Sequence, residues 1–198
     1  MLQNNILIIY CHPYAHSFNH AELAAVQHNL HQHRQEYTLI DLYADKFTPV
    51  YDQEELRLFH TGQTHDPLVT KYLDLLRNCQ GIVFITPIWW NEIPGMLKGF
   101  IDKVMKEGPG LSHTVTKTGI KGELTNIKKA YVLTTSTSPT FYLRLFAGNA
   151  LQKIFINKTL RQIGIKKAQW QNFGHIGDSS LKRRKKYLRQ LLQQPFVF

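Results

Sequence analysis

Cysteine is scarce in this sequence. Cys11 and Cys79 are the only two, and neither belongs to a CxxC pair or a Cys/His cluster. That argues against a disulfide framework and a structural metal site, and for a reducing, cytoplasmic setting. No apolar run approaches the roughly 18 residues of a membrane span. The opening stretch MLQNNILIIY has no charged leader and no small-residue cleavage site, so it reads as the approach to a first strand. No GxGxxG occurs, and the dinucleotide fingerprint of the NAD-binding Rossmann fold is therefore missing. Repeats, low-complexity tracts and Pro/Ser-rich linkers are missing too. The 198 residues are expected to form a single domain, 1–198, long enough to bury a real core.

Acidic residues run short in the second half. Residues 1–100 hold 6 Lys/Arg against 10 Asp/Glu, whereas residues 101–198 hold 18 against 4, for a net charge of +10. A basic half of this kind suits nucleic acid, a membrane surface or a phosphorylated small molecule. Its densest part, LKRRKKYLRQLL, places Leu181, Leu188, Leu191 and Leu192 on a helical period. The cations are then mostly the solvated face of a terminal helix. No recognised nucleic-acid module accompanies them, so nucleic acid is not expected as a partner.

What is present is an alternation of strand and helix. Ile6 to Tyr10 is a continuous apolar run, as in a strand covered on both faces. Asn19, with Glu22 three residues on, is placed to cap a helix carrying Leu23, Val26 and Leu30. A second strand is expected over 36–42, a helix over 67–78 and a third strand over 81–86. Ile93, Met96, Leu97, Phe100, Ile101, Val104 and Met105 then recur at helical spacing, with Pro94 in the first turn. Residues 130–135 read as a fourth strand, 141–162 as helical, 169–172 as part of a fifth strand and 108–127 as a long loop or hairpin. The pattern specifies an α/β chain with a doubly wound parallel sheet.

Such sheets bind ligands at the carboxyl ends of their strands, near the point where strand order reverses. Three loops qualify. Cys11 to Asn19 offers two imidazoles, hydroxyls, an amide and the free backbone N–H groups of a helix N-terminus, a setting that receives phosphate. Taken alone, it reads equally as a capped helix with two surface histidines. Pro87-Ile88-Trp89-Trp90-Asn91 offers backbone amides beside flat side chains, suited to a heteroaromatic ligand. The competing reading packs one indole into the core. Thr134 to Tyr142 is rich in hydroxyls, fit either for a ligand's polar edge or for an ordinary helix cap.

These residues together resemble the flavodoxin-like NAD(P)H:quinone oxidoreductases, the family of DT-diaphorase and bacterial NAD(P)H dehydrogenase (quinone) relatives. The likeness is carried by His12-Pro13 with Ser17-Phe18-Asn19, and by Pro87-Ile88-Trp89-Trp90 with Ile93-Pro94-Gly95-Met96-Leu97-Lys98-Gly99 and Ile101-Asp102. Thr134-Thr135 with Tyr142 adds to it, and it runs from about residue 5 to 178. It implies a flavodoxin-like fold, a five-stranded parallel sheet with helices on both faces, and a homodimer with sites at the dimer interface. FAD is the implied cofactor, with FMN in some members, and NAD(P)H is the implied co-substrate. By the same resemblance His12, His16, Ser17, Phe18 and Asn19 hold the phosphate end. Pro87, Ile88, Trp89, Trp90 and Asn91 line the flavin ring, while Thr134, Thr135, Ser136, Thr137 and Tyr142 meet its pyrimidine end.

Two features depart from the family pattern. Thr134-Thr135-Ser136-Thr137 replaces a Thr-Thr-Gly-Gly or Thr-Thr-Gly-Ala loop, and Gly148 stands where the animal enzymes carry a histidine six residues after the tyrosine. Tyr142 is then the one catalytic candidate, without a histidine partner. The implied reaction is two-electron ping-pong transfer from NAD(P)H through flavin N5 to a quinone or similar flat acceptor. Two rival roles remain at this stage: a flavin-binding regulatory subunit of a potassium-efflux system, and a nucleic-acid-binding protein acting through Lys182, Arg183, Arg184, Lys185 and Lys186.

Overall fold

Successive side chains of a strand point to opposite faces, and a parallel strand buried on both must be apolar at every position. The first strand, β1 (Ile6–Tyr10), meets that demand. Ile6, Ile8 and Tyr10 pack with one hydrophobic cluster, and Leu7 and Ile9 with another. It is followed in a computed structural model, which describes residues 5–198, by α1 (Phe18–Gln32) and β2 (Tyr37–Asp41). A short α2 (Gln53–Arg57), a 3₁₀ turn (Phe59–Thr61) and α3 (Pro67–Asn78) lead to β3 (Gly81–Pro87) and α4 (Gly95–Val104). A hairpin of β4 (His113–Thr116) and β5 (Gly119–Gly122) precedes β6 (Lys129–Thr135) and α5 (Thr140–Leu145). A π-type helix (Leu151–Leu160), β7 (Ala168–Phe173) and α6 (Leu181–Gln193) complete the order.

The five-stranded sheet has the order β2-β1-β3-β6-β7, and all its pairings are parallel. Ile8 lies opposite Leu39 on one side and Val83 on the other, and Val83 lies opposite Tyr131. The expected doubly wound, flavodoxin-like architecture is therefore present. Leu23, Val26 and Leu30 of α1 join Tyr187 and Leu191 of α6 over one sheet face. Leu73 and Leu76 of α3, Leu97 and Phe100 of α4, and Phe155 and Leu160 of the π-type helix cover the other. Among the described residues, no helix is long and apolar enough to cross a membrane.

Three local expectations need correction. The cap of α1 is Ser17, whose hydroxyl accepts from the His20 N–H at 3.1 Å, so the helix starts before Asn19. Asn19 then lies inside the first turn with its side chain turned inward. Leu181 does not join the apolar stripe of α6; it is the first residue of that helix and 65% exposed, and burial begins only at Tyr187. Pro94 stands just before the first helical residue, as the cap of α4 rather than in its first turn. The segment 108–127, read as loop or hairpin, contains the β4–β5 hairpin.

Between β2 and α3 the chain is fastened to α4 by charge. The Lys106 ammonium contacts the Glu55 carboxylate with both side chains 1% exposed, and Lys103 pairs with Asp66 at 3.0 Å. Burial is the largest single influence and pushes the Glu55 carboxyl up, but the hydrogen bonds from Lys106, Thr64 and the His65 N–H and the Lys106 charge together outweigh it, and the net shift is downward. Removing one partner of such a pair strands the other charge. Lys106→Met is expected to lower stability by roughly 3–5 kcal/mol, read from urea unfolding. A loss below about 1 kcal/mol would show that Glu55 is not held as an ion.

Candidate functional site

Because β1 and β3 are neighbours whose connections leave in opposite directions, the loops after them diverge and open a crevice at the sheet's carboxyl edge. A cleft of about 430 Å³ lies there, within the range of small-molecule sites. The loop after β1 and the start of α1 contribute His12, Ser17, Phe18 and Asn19, and the end of β3 with its following loop contributes Pro87, Ile88, Trp89 and Trp90. Thr135 ends β6, Ser136 and Thr137 come from the loop after it, and Ile176 from the loop after β7. A second cavity of about 290 Å³ shares Ile88, Trp90, Ser136 and Thr137 with it and adds Asn91, Ser138 and Leu143.

At one end sits the N-terminus of α1. The N–H groups of Phe18 and Asn19 occupy its first two positions and have no preceding helical carbonyl to bond, so they and the helix dipole favour an anion. His12 is half-buried, and desolvation holds its imidazole below the ordinary pKa. Its Nδ1 accepts from the Tyr14 N–H at 3.1 Å, which assigns the proton of the neutral ring to Nε2. The ring lies edge-on to Trp89, with centroids 6.2 Å apart.

Trp89 and Trp90 stand on a tight hairpin. The Trp89 N–H donates to Glu92 O at 3.0 Å, and the Glu92 N–H donates back to Trp89 O at 3.1 Å. The two residues between them have φ of +52° at Trp90 and +67° at Asn91. Positive φ at both central positions is the type I′ turn, which favours Asn-Gly. Asn suits it; a bulky side chain such as Trp90 does not. The Trp90 indole is 99% exposed, while Trp89 is 43% exposed. Sequence alone left one indole free to be core, and neither is.

The third loop continues the sheet's bonding past its edge. Ile88 N–H donates to Thr135 O at 2.8 Å, and Ser136 N–H donates to Phe173 O at 3.2 Å. The Ser136 hydroxyl is turned to its own loop, accepting from Asn172 Nδ2 at 2.9 Å and donating to Ser138 O at 2.7 Å. That is how a serine fits where the family carries glycine. Gly174 lets β7 approach this loop, since a Cβ there would stand 2.7 Å from Thr140 N. Thr137 is exposed, and its hydroxyl has no hydrogen-bond partner among the described residues.

Four candidate residues lie outside the larger cleft. His16 is exposed against Tyr14, at 5.3 Å between ring centroids, and Asn91 lines the smaller cavity instead. Thr134 is fully buried; its hydroxyl accepts from Trp170 Nε1 and donates to Asn172 Oδ1, both at 2.8 Å. Tyr142 is 45% exposed and stacks on Phe146. Ile176 was missed by sequence reasoning. The rule that points to strand ends would have found it, had it been applied to β7 as well. Cys11, next to His12 in the chain, is buried with its thiol pushed up to about 12 by desolvation, which leaves it inert.

A parallel sheet with a ligand-sized crevice at its switch point defines a doubly wound α/β protein of the nucleotide- and flavin-binding type. The comparisons narrow this class. The chain belongs to the Flavodoxin_2 family, described as having a flavodoxin-like fold, whose profile matches residues 4–194. It is thereby a relative of the flavin-dependent NAD(P)H oxidoreductases in that family. An uncharacterized NAD(P)H oxidoreductase of Haemophilus influenzae is 25% identical over 191 residues, covering 96% of this chain and 93% of that one. NAD(P)H dehydrogenase [quinone] 1 of Cavia porcellus is 27% identical over 157 residues, covering 69% of this chain but only 54% of that protein. The structure of Smu.1420 from Streptococcus mutans superposes with a TM-score of 0.81 at 31% identity, covering 96% and 97% of the two chains. An FMN-dependent NADH-azoreductase of Bacillus anthracis, solved with FMN, shares the fold at a TM-score of 0.74 and 17% identity, with 96% of each chain covered.

The turn geometry yields a test. An exposed indole loses little packing when removed, whereas asparagine tolerates positive φ. Trp90→Asn is expected to stabilise the ligand-free protein by about 1 kcal/mol, seen as a higher urea midpoint. A lower midpoint would mean that the indole is packed after all.

Proposed function

We propose that the protein is a flavin-dependent NAD(P)H:quinone oxidoreductase acting as a homodimer in the cytoplasm. The observation that carries this reading is the cleft itself, with an anion-binding helix end at one side, flat side chains along its wall and a hydroxyl-bearing loop at the other. The donor set fits a flavin nucleotide, with FAD as the principal candidate and FMN as the alternative. Ser17, His12 and the first amides of α1 would hold phosphate, while Ile88 and Trp89 would face the ring and shield it from water. Thr137, whose hydroxyl is uncommitted, would stand at the pyrimidine edge, where a donor stabilises negative charge developing on reduction, with Thr135 beside it donating to Asn19. When bound, the flavin supplies two-electron acceptance from a nicotinamide and donation to a flat acceptor. The second cavity, sharing Trp90 and Thr137 with the first, is placed to receive the exchanging substrates. Tyr142, 45% exposed and outside the larger cleft, is a catalytic candidate in the dimer rather than in the isolated chain.

The dimer is supported by exposed apolar side chains beside the site. Phe141, Leu145 and Phe146 are 62%, 74% and 70% exposed and lie with Tyr142 on α5 and its C-cap, the helix whose Leu143 lines the smaller cavity with Trp90. Large apolar residues clustered in this way mark an association surface. Leu145→Asp is expected to convert a dimer to a monomer in light scattering; an unchanged dimer mass would move the interface elsewhere.

The activity is tested directly. The purified protein is expected to be yellow, to release FAD or FMN on denaturation, and to oxidise NADH or NADPH only when menadione is supplied. No bound flavin at saturating FAD and FMN, together with no turnover, would sink the assignment. Trp90→Ala is expected to weaken flavin retention roughly 3- to 10-fold, the worth of one aromatic contact. Unchanged flavin affinity would remove that indole from the flavin wall.

A further inference from the structure

Beneath the cleft lies an ionisable group that the proposed reaction does not use. Glu22, in the second turn of α1, is 0% exposed. Its Oε2 accepts from Asn19 Nδ2 at 2.8 Å, and Asn19 Oδ1 in turn accepts from the Thr135 hydroxyl at 2.8 Å. Asn19 and Thr135 both line the cleft. One hydrogen-bonded chain therefore runs from the buried carboxyl, through one cleft residue, to another on the opposite loop.

The surroundings of Glu22 hold no countercharge. Tyr187 faces it from α6, with Gln171 of β7 behind that tyrosine, and Tyr10 approaches from β1. No lysine, arginine or histidine among the described residues pairs with it. Glu22 Oε1 and the Tyr187 hydroxyl are both buried without a completed hydrogen bond. The Tyr187 hydroxyl is the donor nearest Oε1, and a hydrogen bond from it favours the carboxylate, but desolvation outweighs both it and the bond from Asn19. Burial pushes the Glu22 carboxyl up to about 8 and the Tyr187 hydroxyl well above its ordinary value. A buried carboxyl without a cation is held neutral by the cost of desolvating its charge.

We propose that Glu22 is a positioning residue for the cleft: in its uncharged form it fixes the Asn19 amide and, through it, Thr135, and its ionisation weakens the binding of an anionic occupant. The orientation of Asn19 follows from the chain. With Nδ2 committed to Glu22, Oδ1 must face Thr135, so the threonine hydroxyl is held as a donor to asparagine. A negative charge on Glu22 lies one hydrogen bond below the cleft-lining Asn19, in low dielectric, where it acts against a phosphate or a flavin carrying one. This inference rests on the flavin reading above.

The test compares the wild-type protein with Glu22→Gln and Glu22→Leu, measuring FMN and FAD dissociation constants by equilibrium dialysis between pH 7 and 9.5, without turnover. Glutamine keeps an acceptor for Asn19 and never ionises; leucine keeps neither property. Wild type is expected to bind about tenfold more weakly at pH 9.5 than at pH 7, the effect of one pKa unit of coupling. Glu22→Gln is expected to match wild type at pH 7 and stay flat, while Glu22→Leu binds more weakly throughout. The same pH slope in wild type and Glu22→Gln overturns the role of Glu22 and leaves the flavin reading standing. No flavin binding by any of the proteins at any pH overturns the flavin reading and this inference together. Thermal unfolding gives a readout free of ligand. A carboxyl whose pKa is raised in the folded state loses its stabilising contribution as pH rises from its unfolded value toward about 8. The advantage of Glu22→Gln in melting temperature should therefore grow from pH 5 to 8 and then level off. A constant difference overturns the neutral state of Glu22.

Discussion

The reversal of strand order between β1 and β3 is the constraint on which the rest depends. Each connection of this parallel sheet must cross over with a right-handed sense. A chain that first builds outward from β1 to β2, then returns to place β3 on the other side, sends α1 and α4 to opposite faces. The loops leading into them separate and leave a crevice, into which only the strand ends at Pro87 and Thr135 reach. The crevice is a by-product of topology. What the sequence adds is its furnishing: amides at the start of α1, indoles after β3 and hydroxyls after β6.

Much of this was legible because periodicity and strand-end placement are properties of short stretches. The apolar run at Ile6–Tyr10, the helix over 67–78 and the strand over 81–86 need no tertiary information to recognise. What was not legible depends on partners distant in sequence. Asn19 looks like a helix cap by residue type and spacing, yet Thr135 and Glu22 claim its amide, and Ser17 takes the cap. Thr134 looks like a cleft hydroxyl until Trp170 and Asn172, on the neighbouring strand, take both of its hydrogen-bonding roles. Leu181 fits the helical stripe by counting, but α6 buries side chains only from Tyr187 onward.

Polar groups inside the molecule fall into two kinds. Glu55 and Lys106, with Lys103 and Asp66, are paired and bind α2 and the start of α3 to the C-terminal end of α4 and the residues just after it; their function is cohesion. Glu22 with Asn19 and Thr135 is an unpaired chain leading to an open surface. Cohesive pairs gain from being closed to water, whereas the second arrangement leaves one buried oxygen unsatisfied for the sake of where it leads. The basic C-terminal helix divides similarly. Arg183 and Arg184 are tied to the carbonyls of Gly174 and Ile176 near the cleft, while Lys182, Lys185 and Lys186 remain in solvent.

The placement of the tryptophans has an optical consequence. Of the three in the chain, Trp89 and Trp90 border the cleft and Trp170 is buried against Thr134. Emission from a solvated indole lies to the red of that from a buried one, so the spectrum of this protein divides into a constant interior component and one that belongs to the crevice. The strained turn has thereby given the molecule an intrinsic fluorophore at its entrance, one that registers the arrival of any flat, light-absorbing occupant without a label.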